Sequence, residues 1–407
     1  MKKTIAVLGT FDTKGAEHQF VADQIRQRGH DVMLIDAGGF GLSQITADIT
    51  REQVAESGGH DLAGLQARGD RGAMVAAMSE SVATLLAGLV ADERIAGVIS
   101  LGGTGGTAIG TAAMRALPLG FPKVMVSTVA AGNVAPYLGV KDIIMIPSIV
   151  DVAGLNRFSR AVFIRAAATV CALAEANAGM TGETDAKPLI VASMFGNTTQ
   201  CVESARKLLE NAGYEVLMFH ATGSGGRTME SLIESGLVAG VLDITTTEWA
   251  DEIAGGVFAA GPTRLEAAAR NGVPAIVTPG CLDMVNFGAP ESVPAKFAGR
   301  LFYQHNPQVT LMRTTPEECA ELGRILAEKV NLSTGPVTVL LPQRAISIIS
   351  AEGQPFHDPA ADEALCNAIK ENLRKDIPLV ELDCAINDPV FAEACVKILL
   401  ESIHHQI

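Results

Sequence analysis

Short apolar runs alternate with longer helical stretches along most of this chain. In the first half the apolar runs are "KTIAVLGTF", "DVMLIDAG", "IAGVISL", "PKVMVST" and "DIIMIPSIV". Helical patterns lie between them, among them a long one in "GAMVAAMSESVATLLAGLV". Short Val- and Ile-rich strands separated by helices are typical of a parallel sheet with helices on both faces. The pattern predicts an α/β fold of the doubly wound, Rossmann-like class.

The second half of the chain restarts the same order of elements. "PLIVASMFGNTTQ" aligns with "KTIAVLGTFDTKG", "VAGVLDITTTEW" with "IAGVISLGGTGG", and "VPAIVTPGCLDM" with "FPKVMVSTVAAG". Any two Rossmann-like domains share some of this order, but three matched segments in sequence favour an internal repeat. The polar stretch "MTGETDAKP" separates the halves. We predict Rossmann-like domains at 1–180 and 188–407, joined by a linker at 181–187.

Composition narrows the class of protein. The chain has 407 residues, 48% of them hydrophobic, with 41 glycines and a net charge of −14, which suits a compact α/β protein. Such an acidic chain does not favour nucleic acid as the main ligand. The N-terminal apolar run is too short for a signal peptide, and no run of about 18 apolar residues suggests a membrane span. The seven cysteines form no CxxC pair, which fits a reducing cytoplasm and gives little support for zinc.

The turn "LGGTGGT" is the strongest candidate for chemistry in the first half. Ligands of open parallel sheets bind beyond the carboxyl ends of the strands, and this turn follows the third predicted strand. Consecutive amides of a glycine turn at a helix start can bind an anion. Close packing of the helix on the strand is the alternative. The candidate residues are Gly102, Gly103, Thr104, Gly105, Gly106 and Thr107.

The turn "GTFDTKG" follows the first predicted strand and lacks the pattern of a Walker A loop. Thr13 and Lys14 lie where that strand meets a helix, so amides and an ammonium group can meet a phosphate there. The alternative is a helix N-cap by Asp12 or Thr13 with a solvated Lys14.

Two further positions in the first half are candidates for nucleotide contacts. Arg71 precedes the long helix and could bind a phosphate, although Asp70 could simply cap that helix beside solvated arginines. Asp36 follows the second strand, where ribose hydroxyls are often bound, and a turn-forming role is the alternative.

The second half carries acid–base groups at several predicted strand ends of one sheet, which could build a reactive pocket. Each residue alone could equally serve a turn or the surface. Cys281 with His305 is a further, weaker nucleophile pair. The catalytic candidates are His220, Glu248, Asp283 and His305. The substrate-binding candidates are Thr222, Gly223, Gly225, Gly226, Arg227, Thr245, Thr246, Asn286 and Arg313.

In combination, "GTFDTKGAE", "LGGTGGT", "STVAAGN", "PSIVDVAGLN", "FHATGSGGRTMESLI", "GVLDITTTE", "LDMVNFG" and "LMRTT" resemble the Tm-one-like ATP-binding family. The resemblance covers essentially the whole chain. It implies two Rossmann-like subdomains, a homodimer, and Mg-ATP bound by the first subdomain. The residues that match its motifs there are Asp12, Thr13, Lys14, Arg71, Gly102, Gly103, Thr104 and Gly105. The segment between strand two and Arg71 differs more, so the resemblance assigns no ribose contact.

These observations predict a cytoplasmic protein that binds ATP and Mg²⁺. One form of this hypothesis is an ATP-dependent enzyme whose second domain binds a small polar or anionic metabolite. A second is a regulatory module that binds ATP without consuming it. A third places an ATP-independent hydrolase or isomerase in the second domain.

Overall fold

The computed structural model describes residues 2–180 and 187–405. The chain divides into two compact units, Met1–Thr184 and Asp185–Ile407. Each unit contains a parallel sheet covered by helices, which confirms the predicted α/β class with two Rossmann-like sheets. Apart from Lys187, the predicted linker at 181–187 lies outside the described residues.

The sheet of the first unit consists of five parallel strands in the order β2-β1-β3-β4-β5. The strands are β1 (Thr4–Gly9), β2 (Asp31–Asp36), β3 (Gly97–Gly102), β4 (Lys123–Ser127) and β5 (Ile144–Pro147). Every residue of β3 and β4 is buried. A strand covered on both faces needs apolar side chains at consecutive positions, which explains the unbroken apolar runs in the sequence.

Helices cover both faces of this sheet. They are α1 (Phe11–Gln27), α2 (Arg51–Ser57), α3 (Leu62–Arg68), α4 (Arg71–Ala91), α5 (Thr104–Arg115), α6 (Ala135–Leu138) and α7 (Arg157–Met180). One core forms under α4 and α5, with Met78, Val82 and Met114. The other forms under α1 and α7, with Val21 and Phe163. The arrangement is doubly wound, as predicted.

Helix α4 is long and apolar enough to cross a membrane by length and composition alone. In the first unit it nevertheless packs as a core helix, because Met74, Met78, Val82, Leu86 and Leu89 are all buried on one side of it.

The second unit has two sheets. Its strands are β6 (Leu189–Met194), β7 (Glu215–His220), β8 (Val238–Thr245), β9 (Ala275–Gly280), β10 (Met284–Phe287), β11 (Phe302–Asn306), β12 (Val309–Arg313), β13 (Val337–Pro342) and β14 (Leu379–Leu382). Six of them pair in parallel in the order β14-β13-β9-β8-β6-β7. The other three form an antiparallel sheet in the order β10-β12-β11. The sequence analysis did not anticipate this second sheet.

The helices of the second unit are α8 (Thr199–Asn211), α9 (Ser224–Glu234), α10 (Glu248–Ala254), α11 (Ala267–Asn271), α12 (Pro316–Val330), α13 (Pro359–Asn372) and α14 (Pro389–His404). Counted from its own first strand, the parallel sheet of each unit runs 2-1-3-4-5, and the second adds a sixth strand at its edge. The shared order agrees with an internal repeat, but duplication itself stays a prediction.

All seven cysteines are buried and free. Cys171 lies in the first unit and the other six lie in the second. Burial raises the pKa of each thiol above its usual range.

Candidate functional site

A cavity of about 490 Å³ lies at the carboxyl ends of β1, β2 and β3. Strand β1 has β2 on one side and β3 on the other, so this is the switch point of the sheet, where ligands of open α/β folds bind. Eight of the residues singled out from the sequence line it: Asp12, Thr13, Lys14, Arg71, Gly103, Thr104, Gly105 and Gly106. Residues that were not among the named candidates complete the lining: Thr10, Ala37, Gly39, Phe40, Gly41, Met74, Val75 and Ile109.

The N-terminus of α5 opens into this cavity. Its N-cap residue is Gly103, which has no side chain to accept a hydrogen bond from the first-turn amides. The uncapped amides and the positive end of the helix dipole favour an anion at this position.

The glycines of this turn fall into two groups. A Cβ on Gly102 would lie 2.8 Å from the Cα of Gly106, so Gly102 is required by packing. A Cβ on Gly105 would meet nothing nearer than the Val75 side chain at 3.8 Å, and one on Gly103 nothing nearer than Thr128 Oγ1 at 3.8 Å. Packing therefore does not require glycine at positions 103 and 105. Because these residues have no side chain, their backbone is open to the cavity.

Thr107 faces the protein interior. Its side chain is fully buried, and its hydroxyl lies 2.6 Å from Ser127 Oγ. Gly102 and Thr107 therefore serve the packing of helix on strand, which was the alternative to ligand binding. Gly103 to Gly106 line the cavity.

Lys14 lies at a break in α1, where its φ of −134° and ψ of 30° depart from helical geometry. Its Nζ donates a hydrogen bond to the carbonyl of Val152, in the loop after β5. The buried His18 ring supports this break, because its Nδ1 donates to the Lys14 carbonyl at 2.7 Å. Burial lowers the pKa of His18 to about 4, so the ring is neutral at pH 7. Lys14 is therefore a positioned cation at the edge of the cavity.

Asp12 connects two of the cavity's loops. Its Oδ2 accepts hydrogen bonds from the amides of Phe40 at 3.2 Å and Gly41 at 3.1 Å. Its Oδ1 is buried and has no hydrogen-bond partner among the described residues. The helix N-cap is Thr10 and not Asp12 or Thr13. One oxygen of this cavity-lining carboxylate is thus buried and lacks a donor.

Arg71 begins α4 and is exposed, and the described residues give its guanidinium no hydrogen bond or ion pair. Asp70 caps the same helix by accepting from the amides of Gly72 at 2.8 Å and Ala73 at 3.0 Å. Asp70 is therefore the cap, and Arg71 lies exposed at the cavity, where phosphate binding stays a prediction.

Asp36 does not reach the cavity. It is 2% exposed, and its Oδ1 accepts from the amides of Phe11 at 3.0 Å and Gly38 at 2.8 Å. Burial raises its pKa above the usual range. The structure favours the turn-forming role over a ribose contact.

In the second unit, Glu248 is buried inside the protein. Its Oε1 accepts from the amides of Gly223 at 2.7 Å and Gly226 at 3.1 Å, at the start of α9. Its Oε2 accepts from Nε of Arg264 at 2.6 Å. A Cβ on Gly226 would collide with the Glu248 carboxylate, so glycine is required there by packing. The glycine turn predicted to bind substrate is thus capped by the protein's own carboxylate.

Arg264 is the centre of this buried network and was missed by the sequence analysis. It is 1% exposed and binds three carboxylates, with Asp243 held by two hydrogen bonds at 2.5 and 2.6 Å and Glu230 by one at 3.0 Å. Burial lowers its pKa, but the carboxylates, Asp243 foremost, raise it more, so the pKa lies well above the usual range. One guanidinium thus links three carboxylates from separate segments of the second unit, which is a structural use of charge.

Asp283 and Arg313 belong to a second buried network. Asp283 Oδ2 accepts from the Ser347 hydroxyl at 2.7 Å, and its Oδ1 has no partner among the described residues. Arg313 donates to the Asp362 carboxylate at 2.6 Å and to the Phe356 carbonyl at 2.9 Å. Burial raises the pKa of Asp283 to about 6.

Asn286 belongs to a third network, with Asp251. The Asp251 carboxylate accepts from the Asn286 amide at 2.6 Å and the Phe258 amide at 2.8 Å. Burial raises the pKa of Asp251 to about 7. Asn286 Nδ2 also lies 3.4 Å from the hydroxyl of the buried Thr247.

The remaining candidates are divided between interior and surface. Thr245 and Thr246 are fully buried and bonded to neighbouring strands through Ser193 and Thr278. His220 at the end of β7, Arg227 on α9 and His305 on β11 are exposed. Thr222, just after β7, and Gly225, in the first turn of α9, are half-buried. Arg227 donates to the Ala259 carbonyl at 3.1 Å.

The structure does not bring Cys281 and His305 together. Cys281 is fully buried, and burial raises the pKa of its thiol well above the usual range. His305 is exposed on β11 of the antiparallel sheet. Asn286 and Arg313 do not lie at strand ends of the parallel sheet, because they belong to β10 and β12. Asp283 lies in the short connection between the end of β9 and the start of β10. The expected single pocket is replaced by separate networks.

Metal ligands are not concentrated in either unit. Across residues 2–180 and 187–405 no group of three or more His, Cys, Asp or Glu side chains could hold a metal ion.

Known proteins similar to this chain cover its full extent. A UPF0261 protein from Clostridium tetani is 48% identical over 98% of this chain and 99% of its own length. The tomato (Solanum lycopersicum) ToMV susceptible protein tm-1(GCR26) is 36% identical over 97% of this chain, which spans 55% of the tomato protein. A solved structure of UDP-N-acetylglucosamine 2-epimerase from Rickettsia bellii is 11% identical and covers 100% of this chain and 98% of its own. Its TM-score of 0.23 is too low for the similarity to bear on function.

Family matches follow the two units. Residues 3–179 match the N-terminal domain of an uncharacterised protein family, UPF0261, and residues 187–403 match its C-terminal domain. The similarity to the tomato protein confirms the resemblance drawn from the motifs. The chain therefore belongs to the UPF0261 family.

Proposed function

We propose that the first unit binds Mg-ATP in the cavity at the carboxyl ends of β1, β2 and β3. One observation carries the proposal: Gly103 and Gly105 border that cavity although nothing in the protein requires glycine there. A phosphate approaching the backbone amides of α5 would require it. The motif resemblance, which implies Mg-ATP at these residues, supports the same ligand.

The charge and size of the cavity support a nucleotide. Lys14 and Arg71 supply two positive charges beside the uncapped start of α5. A volume of about 490 Å³ lies within the range of small-molecule sites. Thr13 and Thr104 add hydroxyl groups at the lining.

Magnesium fits this site as a partner of the phosphates. Mg²⁺ keeps several waters and is commonly held by one or two carboxylates plus substrate phosphates. Asp12 offers one such carboxylate oxygen, buried and without a partner. When bound, the ion would neutralise phosphate charge, while Lys14 and Arg71 orient the phosphates.

The second unit supports a structural role for most of its candidate groups. Glu248, Asp283 and Arg313 are bound to other protein groups and buried. We therefore propose ATP binding as the function and leave substrate chemistry to be sought in the first unit. The resemblance that implies Mg-ATP also implies a homodimer, and we propose a cytoplasmic location.

Calorimetry with Mg-ATP tests the proposal. The wild type should bind saturably, and Arg71→Ala should weaken binding about tenfold, the size of one charge-assisted phosphate contact. Lys14→Ala should weaken binding at least as much. Arg68→Ala, an exposed arginine that does not line the cavity, is the matched control and should bind as the wild type does.

Two outcomes would contradict the proposal: no binding by the wild type, or equal weakening in Arg68→Ala and Arg71→Ala. Circular dichroism of each variant separates loss of binding from loss of fold. Release of ADP then distinguishes an enzyme from a binding module, because a module would bind ATP and a non-hydrolysable analogue alike without turnover.

A further inference from the structure

A second cavity, of about 540 Å³, lies at the carboxyl ends of β4 and β5 in the first unit. Ser127 and Thr128 border it from the β4 side, and the loop 147–151 borders it from the β5 side. It lies at the same edge of the sheet as the proposed nucleotide site, one strand further along.

The two cavities adjoin at named groups. Thr128 Oγ1 lies 3.8 Å from where a Cβ of Gly103 would be, and Gly103 lines the nucleotide cavity. Lys14 lines that cavity too, and its ammonium bonds to the Val152 carbonyl, directly after the loop of the second cavity. The Glu17 carboxylate accepts from the Gly154 amide, which ties the same loop to α1.

The backbone of this loop is strained at an exposed apolar residue. Ile149 has a φ of +67° and is 75% exposed. A β-branched residue in the left-handed region is a true outlier, because its side chain clashes with its own backbone. Glycine would adopt this conformation freely. At this exposure the isoleucine buries little apolar surface to offset the strain, which makes the side chain a candidate for contact with a ligand.

The polar groups of the second cavity are nearly all occupied. Ser127 Oγ lies 2.6 Å from Thr107 Oγ1 and accepts from the Val129 amide at 3.1 Å. Ser148 Oγ donates to the Val150 carbonyl at 2.6 Å. The Asp151 carboxylate is exposed, has no hydrogen bond or ion pair within the described ranges, and is the one charged side chain in the described lining.

We propose that this cavity binds a small primary amine as the co-ligand of the nucleotide site. The ammonium group pairs with Asp151, and the carbon chain lies against Ile149 and Pro147. Thr128 marks the side of the ligand that faces the nucleotide. The proposal deepens the proposed function, because it names the class of molecule that accompanies ATP, but the amine site itself does not depend on ATP binding.

Pairs of probes that differ only in charge test the proposal. Calorimetry and thermal shift compare n-butylamine with 1-butanol, and putrescine with 1,4-butanediol. The wild type should bind the amines severalfold more tightly than the alcohols, the size of an ion pair with an exposed carboxylate. Asp151→Asn should abolish that preference and leave the Mg-ATP affinity unchanged. Equal binding of amine and alcohol by the wild type, or an unchanged preference in Asp151→Asn, would overturn the proposal.

Ile149→Gly separates binding from folding. Glycine relieves the strain, so the thermal midpoint should hold or rise while the affinity for n-butylamine falls severalfold. A lower midpoint with unchanged amine affinity would show that Ile149 serves the fold and would overturn the assignment. Loss of Mg-ATP binding in the wild type with intact amine binding would reject the nucleotide proposal alone.

Discussion

Glycine has two different uses within one turn of this protein. Gly102 is buried against the backbone of the following helix, whereas Gly103 and Gly105 have room for a side chain. The letters "GGTGG" give no hint of the difference, because it depends on where Gly106, Thr128 and Val75 lie after folding. The sequence predicted the turn as a site and could not say which of its residues reach the ligand.

Alanine at two of these positions should have opposite effects. Gly102→Ala should destabilise the first unit by about 1–3 kcal/mol, since its methyl group overpacks against α5. Gly105→Ala should leave stability unchanged or raise it by up to about 1 kcal/mol, because alanine favours the helix. Thermal unfolding of both variants measures this difference.

Nucleotide affinity supplies the complementary readout. Gly105→Ala should weaken Mg-ATP binding at least tenfold, since its methyl group occupies ligand space. If Gly105→Ala binds Mg-ATP as the wild type does, the open glycine has no ligand and the central observation behind the proposed site is lost.

At the scale of elements, two helix starts of similar sequence are satisfied differently. The first amides of helix α5 have no side-chain acceptor. Those of α9 are capped by the Glu248 carboxylate, which Arg264 holds in place. From the sequence, both turns are candidate ligand sites, the first for an anion and the second for a substrate. Only the pairing of residues far apart along the chain, Glu248 and Arg264 with Asp243, shows that the second turn is already filled.

Removing the cap should destabilise the second unit. Glu248→Ala removes one of three carboxylates on Arg264 and the acceptor of the Gly223 and Gly226 amides. Each buried donor left unpaired lowers the free energy of unfolding by about 1–3 kcal/mol. Trp249, the one tryptophan of the chain, lies next to it on α10 and is 7% exposed. Its fluorescence during urea denaturation therefore measures the second unit.

The matched control is Glu234→Ala, at the exposed end of α9. An exposed substitution of this kind should change the free energy of unfolding by less than about 0.5 kcal/mol. Equal effects of the two variants would reject the buried network as a source of stability.

The antiparallel sheet β10-β12-β11 shows why element prediction failed locally. The sequence analysis placed Asp283, His305 and Arg313 at strand ends of one sheet. In the structure, Val285 pairs with Met312 and Tyr303 with Leu311. A short apolar run carries no information about which sheet its strand joins, so the fold class was predictable and this insertion was not.

At the scale of the whole molecule, the second unit holds carboxyl groups that resist ionisation. Burial raises the pKa of Asp251 to about 7 and that of Asp283 to about 6. Between roughly pH 4 and pH 7 the folded protein binds protons that the unfolded chain releases. Its free energy of unfolding therefore falls as pH rises through this window.

Urea denaturation followed by Trp249 fluorescence should show this fall. We expect the second unit to lose on the order of 2–4 kcal/mol between pH 5 and pH 8. Asp283→Asn should flatten the dependence of the free energy of unfolding on pH below about pH 6, because the titrating group is removed. The substitution should be tolerated, because Ser347 keeps its acceptor and the unpartnered oxygen leaves room for the amide. Stability that rises over this range in the wild type would contradict the prediction.

The distribution of thiols gives each unit its own reporter. Because all seven are buried and hold their protons, alkylation requires the surrounding structure to open first. The first unit contributes one reactive site on opening, Cys171, and the second contributes six. The mass added to intact protein therefore tells which unit has opened: one adduct for the first and six for the second, with seven only when both open.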